Sequence, residues 1–183
     1  LYAYYIYLFS FLNLENQNFI LLILSSQILL ASLSVGIFYK INKSFFSKKI
    51  SLFASLVFSL FPLYLYACAQ ISSISLHIFL AILFYYYFLK ITKNNKYSSI
   101  IIFSFIAGLL ILTRREFVAI LFLSSFFLLF FFKINKKKFL LIILITALTA
   151  SPYLLRNFLI FDKIIIQAGF GYNVWKANNP NSK

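Results

Sequence analysis

Three arginines are the residues of this chain best suited to hold an anion. Arg114 and Arg115 stand side by side and Arg156 follows 42 residues on, whereas the other 14 basic residues are all lysine. A guanidinium presents a planar fork that grips phosphate or carboxylate through two bonds; a lysine ammonium is a point charge. Thr113-Arg114-Arg115-Glu116 fits the S/T-x-x-E capping box, so a helix is expected to start there with Thr113 and Glu116 satisfying its free amides. Such a start adds a positive dipole end and unpaired N–H groups beside the two arginines. His77 is the single histidine. With no His, Asp or Glu at helical spacing, it reads as a neutral, hydrogen-bonded interior residue, although an ionisable group at membrane depth is a functional candidate. One His, the lone Cys68 and three scattered acids (Glu15, Glu116 and Asp162) make no metal set, and no Ser-His-Asp arrangement or glycine-rich phosphate loop is present. A single cysteine forms no internal disulfide.

The elements that must position these residues are apolar helices. Of 183 residues 63% are hydrophobic and 11% charged, with a mean hydropathy of +0.94, too few polar groups to cover a soluble domain of this size. Inside a bilayer every backbone amide must be paired within the structure, which leaves helices or a closed barrel. Barrel strands alternate in polarity; the runs here are continuous, so the fold class is all-α and polytopic. A hydrocarbon core takes roughly 20 helical residues. Residues 1–12 are expected to be the end of a truncated helix or an interfacial one, and residues 19–39 a first full span. Residues 50–89, at 40 residues, form a helical hairpin turning near 67–73, with Pro62 kinking its first arm. Residues 97–113, 117–132 and 139–155 complete about six spans, the last kinked or unwound near Pro152. From Arg156 the chain turns polar, so 1–160 is expected to be a transmembrane region and 161–183 a juxtamembrane loop. The aromatic fraction of 21%, alongside abundant Ile, Lys and Asn, is the mix that AT-rich coding sequence produces, so the tyrosines read as interfacial anchors.

Charge orients the spans. Eleven lysines fall in three loops on one face (Lys40, Lys43, Lys48, Lys49; Lys90, Lys93, Lys96; Lys133, Lys136, Lys137, Lys138). Lys/Arg excess marks the cytoplasmic side, so these loops are expected inside, and the net charge of +14 is mostly this signal. Nothing resembles the folded basic surface that nucleic-acid binding needs. All three arginines then lie on the face topology does not favour. An arginine at mid-bilayer costs about 2.5–3.5 kcal/mol on insertion scales, less near the interface. The arginines therefore mark a working face or snorkel to lipid headgroups.

The stretch Ser151-Pro152-Tyr153-Leu154-Leu155-Arg156-Asn157-Phe158-Leu159-Ile160-Phe161, with Gly171-Tyr172-Asn173-Val174-Trp175 and Asn178-Asn179-Pro180, resembles the Pro-Trp-x-x-Arg-Asn-Tyr-x-x-Phe … Gly-x-Asn-x-Trp-x-Gly-Asn-Asn-Pro pattern of bacterial glycosyltransferase 39-like proteins. These are relatives of protein O-mannosyltransferases and aminoarabinose transferases, with the GT-C fold. Gly108 to Glu116 is similar to their Gly-Leu-x-x-Leu-Thr-Arg-Pro-Glu helix junction, with Arg115 in place of the usual Pro. Ile74 stands where the family often has an acidic residue, and Lys176-Ala177 where a glycine often precedes Asn-Asn-Pro. The resemblance implies an inverting transferase in the bacterial inner (plasma) membrane. It would take a sugar from a polyprenyl-phosphate carrier on the extracytoplasmic side and pass it to a glycan, lipid or protein acceptor. It places Arg114 and Arg156 at the lipid phosphate, with Arg115, Glu116, Asn157, Tyr172 and Asn178 as further substrate contacts. The family's catalytic Asp lies in the first extracytoplasmic loop; no residue here matches it, so it is expected upstream of Leu1, and the chain, which has no methionine, is expected to be an internal fragment of a longer protein. The sequence names no cofactor.

A lipid-linked polysaccharide polymerase, ligase or flippase would share apolar helices and outside arginines. A transporter would repeat a pair of interrupted helices in its two halves and place charge at mid-membrane depth; here charges sit at span ends.

Overall fold

The computed structural model describes residues 1–12, 14–162, 175, 178 and 179. Within them the chain forms α1 (Tyr2–Ser10), α2 (Asn16–Lys43), α3 (Lys48–Ser59), α4 (Pro62–Ala69), α5 (Ile74–Asn94), α6 (Tyr97–Thr113), α7 (Phe117–Phe131) and α8 (Lys136–Phe161). No strand occurs among the described residues.

Each boundary has a local cause. α2 and α5 end in Lys40, Lys43 and Lys93, cations set against the negative end of the helix dipole. α5 stops where Asn95 turns left-handed (φ 42°), its N–H donating to Ile91 O at 2.9 Å. α8 starts on Asn135, whose Oδ1 accepts from Lys137 N at 3.3 Å. Pro62 breaks the hairpin's first arm instead of only kinking it. It opens α4 at N1, where its missing N–H costs nothing, and α3 and α4 meet at 51°.

The expected count of six spans is not reached by length. α2, α5 and α8 are long and apolar enough to cross a membrane, and the bent pair α3–α4 makes a fourth if it is one span. α6 and α7, with 17 and 15 residues, are apolar but shorter. Unwinding near Pro152 does not occur: α8 runs through it to Phe161, so Arg156 and Asn157 lie on its last turns rather than in a loop. Pro152 cannot donate to Leu148 O, but the Ser151 hydroxyl does so at 2.9 Å, replacing the lost bond.

α6 is the hub of the core. Ile100, Phe103, Ala107 and Leu110 are fully buried against Phe84 of α5, Leu128 of α7 and Ile142 of α8. Phe84 stacks on Phe103 with ring centroids 4.6 Å apart. α6 and α8 run parallel in close contact. A Cβ added to Gly108 would lie 2.5 Å from Thr149 Cβ, and Thr146 Oγ1 donates to Ser104 O at 3.1 Å. The pairs Asn95–Lys138, Ser104–Thr146 and Gly108–Thr149 fix the register, with offsets of 43, 42 and 41 residues.

The helices alternate in direction so that the three lysine-bearing turns gather at one end. There Lys138 Nζ donates to Asn95 O at 2.6 Å and lies over the Tyr97 ring, while Lys93 lies over Phe45. The turn at 70–73, the junction at 114–116 and the end of α8 lie at the other. Carrying the 41-residue offset of Gly108 and Thr149 forward puts Arg114 level with residue 155, one position before Arg156 on α8.

Candidate functional site

At the arginine end, α6 stops at Thr113 and Arg114 swings to an extended conformation (φ −147°, ψ 121°). Arg114 and Glu116 are exposed and Arg115 is half-buried. The expected capping box does not form. Thr113 is the last residue of α6, Glu116 sits at the N-cap position of α7, and its carboxylate makes no capping bond. The reason is tertiary: the Thr113 hydroxyl is engaged inward, donating to Leu110 O at 2.7 Å and lying 2.9 Å from His77 Nδ1. Glu116 therefore leaves its charge beside Arg114, and both act electrostatically on the His77 imidazole.

His77, in the first turns of α5, is half-buried with its ring edge-on to Phe117 at 5.0 Å. It has the hydrogen-bonded interior setting expected of it. Its ring lines one space, and its hydrogen-bond partner Thr113 edges a second. The first is a groove of about 930 Å³ between α2, the bent α3–α4 pair and α5. Phe38, Phe58, Phe61, Tyr64 and Phe88 line it, and its α5 wall extends from Ile74 to Leu89, about 22 Å at 1.5 Å per residue. Tyr64 braces the α4 wall by donating to Ala31 O at 3.0 Å. The second is a cavity of about 270 Å³ edged by the hydroxyl-bearing residues Tyr2, Ser73, Thr113 and Tyr153. Gln27, fully buried, ties this end together, its Nε2 donating to Tyr2 Oη at 2.6 Å and Ser72 O at 3.0 Å.

The sequence-derived residues fall into two groups. Arg114, Arg115 and Glu116 form the α6–α7 junction beside His77. Arg156 and Asn157 lie at the same height on α8, where Arg156 Nη1 donates to Asn157 Oδ1 at 3.2 Å; Asn157 is 4% exposed and Arg156 open. Asn178 is exposed, and Tyr172 lies outside the described residues. Tyr2, Ser73, Thr113 and Tyr153 went unrecognised as a lining set. Tyr153 falls inside the motif that ends α8 and carried a signal; Ser73 reads as an ordinary turn residue and Tyr2 as part of a short helix. No group of three or more His, Cys, Asp and Glu that could hold a metal occurs among the described residues.

Apolar helices of membrane-crossing length define an integral membrane protein, and a long apolar groove runs along α5 to His77. The sequence profile of the dolichyl-phosphate-mannose-protein mannosyltransferase family matches residues 1–155, and the chain belongs to that family, one of membrane glycosyltransferases of the GT-C type. The match includes His77, Arg114, Arg115 and Glu116 and ends just before Arg156. No curated protein and no solved structure matches the chain.

Proposed function

We propose that this chain holds the lipid-linked donor of an integral-membrane glycosyltransferase, which moves a sugar from a polyprenyl-phosphate carrier to a glycan, lipid or protein acceptor on the extracytoplasmic side. The observation that carries the reading is the apolar groove running along α5 to His77, which touches Thr113 and Phe117 on either side of the arginine junction, in a member of a family whose own name specifies a dolichyl-phosphate sugar. The polyprenyl chain fills the groove, the phosphate meets Arg114 and Arg156, and the sugar lies at the end of the groove against His77, beside the hydroxyl-edged cavity across Thr113. Arg115, Glu116, Asn157, Tyr172 and Asn178 are assigned lesser contacts around the same head group.

In such a transfer the acceptor hydroxyl gives its proton to a carboxylate base, expected outside this chain, and attacks the anomeric carbon as the bond from that carbon to the phosphate oxygen breaks. The carrier leaves with the electron pair, so negative charge grows on its phosphate. Fixed guanidinium groups there are worth more in the transition state than in the bound donor, and they need no reorganisation. The concentration of lysine at the opposite end supports a cytoplasmic location for that end by the positive-inside rule, the membrane being in this reading a bacterial inner membrane. The arginine end then faces outward.

The test is sugar transfer by the complete membrane protein carrying Arg114→Lys or Arg156→Lys. Each keeps the charge and removes the fork, and a fall of about tenfold or more in kcat/KM for the lipid donor, about 1.4 kcal/mol, is expected. Full activity and donor affinity in both variants would overturn the phosphate assignment.

A further inference from the structure

The hydrogen-bonding of His77 has a consequence for what can meet its other nitrogen. Thr113 owns one hydroxyl proton, and that proton is committed to Leu110 O at 2.7 Å. The 2.9 Å contact between Thr113 Oγ1 and His77 Nδ1 is then made by the Nδ1–H of the imidazole donating to the hydroxyl oxygen. This fixes the tautomer. In the neutral ring the proton is on Nδ1, and Nε2 offers a lone pair. Among the described residues no group donates to that lone pair. The ring lines the apolar groove, which supplies it with no cation or amide, and Phe117 stands edge-on beside it. The charged groups near it are Arg114 and Glu116 of the α6–α7 junction. The titratable groups along the groove are Tyr64 and Tyr66 on α4 and Tyr85 on α5.

A polyprenyl-phosphate sugar brings few groups that could satisfy an acceptor at this point. Its tail has no donor, and its phosphodiester has only acceptor oxygens. The sugar hydroxyls alone can give a hydrogen bond to Nε2. We infer that His77 is a specificity-determining residue for the donor: anchored on Thr113 through Nδ1, it accepts a hydrogen bond from a hydroxyl of the transferred sugar at Nε2. It stands where the apolar groove meets the polar cavity across Thr113, the point at which tail gives way to head. This inference rests on the lipid-donor reading above and adds a residue that the sequence motifs do not include.

Two substitutions separate the nitrogens. His77→Asn keeps an N–H near the Nδ1 position, able to hold Thr113, and removes the outer acceptor. His77→Gln extends a carbonyl oxygen toward the Nε2 position and abandons Thr113. The probes are farnesyl phosphate, farnesyl phosphate carrying mannose, farnesyl phosphate carrying glucose, and farnesol, with affinities measured on the full chain in detergent. Wild type is expected to bind at least one of the two sugar-bearing probes about tenfold more tightly than farnesyl phosphate. His77→Asn should lose that increment while binding farnesyl phosphate unchanged, and His77→Gln should recover part of it. An increment that survives in His77→Asn, or that is absent in wild type for both sugars, overturns the role of His77 and leaves the lipid reading standing. Farnesyl phosphate binding no better than farnesol would instead remove the phosphate reading on which the inference is built.

Discussion

At the scale of single residues, the chemistry turns on small atoms in crowded places. Gly108 is the clearest case, because α6 and α8 approach so closely that its missing side chain is structural. An added Cβ would lie 2.5 Å from Thr149 Cβ and 2.8 Å from Thr149 Cγ2, with the Thr146 carbonyl at 3.1 Å behind it. The nearest of these is not the end of a flexible chain, so the helices themselves must part. Gly108→Ala is expected to lower stability by about 1–3 kcal/mol despite its better helix propensity, read as a drop in the midpoint of thermal unfolding in detergent. Combining it with Thr149→Gly should restore part of the loss, and purely additive destabilisation would show that the two positions do not meet. The same register brings Arg114 level with the end of α8. Thr113 shows how a residue-level reading of sequence goes wrong. The Thr-x-x-Glu spacing describes local chain geometry, whereas the hydroxyl's real partner, His77, lies 36 residues earlier. No local pattern carries that information.

At the scale of elements, the helices were largely legible and their ends less so. Continuous apolar runs bounded by lysines mark α2, α5 and α8. The 40-residue run divides where Cys68 to Ser73 dilutes it, because a hairpin needs a turn and polar residues permit one. The proline effects needed the surrounding atoms. Pro62 ends α3 because the chain resumes as a new helix at 51°, with Phe58 and Tyr64 packed across the break at 4.8 Å. Pro152, in an equally apolar setting, leaves α8 whole because Ser151 supplies the bond its ring cannot. Ser151→Ala should therefore leave Leu148 O without that bond and cost about 1–2 kcal/mol, with earlier hydrogen exchange at the end of α8. Ser151→Thr, which keeps the hydroxyl, should retain most of the protection. Equal exchange in all three proteins would mean that α8 passes Pro152 for some other reason.

At the scale of the whole molecule, the groove and the cavity were invisible in the sequence for a physical reason. When most positions of a helix are apolar, hydrophobicity no longer distinguishes a face turned to lipid from one turned to a neighbour or a channel. The Tyr, Phe and Ile residues of the groove are of the same types as those facing outward. What did survive from the sequence is the separation of charge: lysine turns at one end, all three arginines at the other. That separation makes the orientation testable. Cys68 is the only cysteine of this chain, so Cys68→Ser, with any cysteine elsewhere in the complete protein also replaced, permits single reporters. Asn94→Cys, at the lysine end, and Glu116→Cys, beside Arg114, are expected to differ in intact cells. A thiol reagent that cannot cross the membrane should label the Glu116→Cys protein and reach the Asn94→Cys protein only after permeabilisation. The reverse pattern would turn the protein over and put the arginines in the cytoplasm. Labelling of both in intact cells would mean that α6 does not cross the membrane, as its 17 residues permit. Its parallel packing on the longer α8 favours crossing, because Lys138 ties its start to the lysine end while Gly108 and Thr149 lock its middle into the bundle.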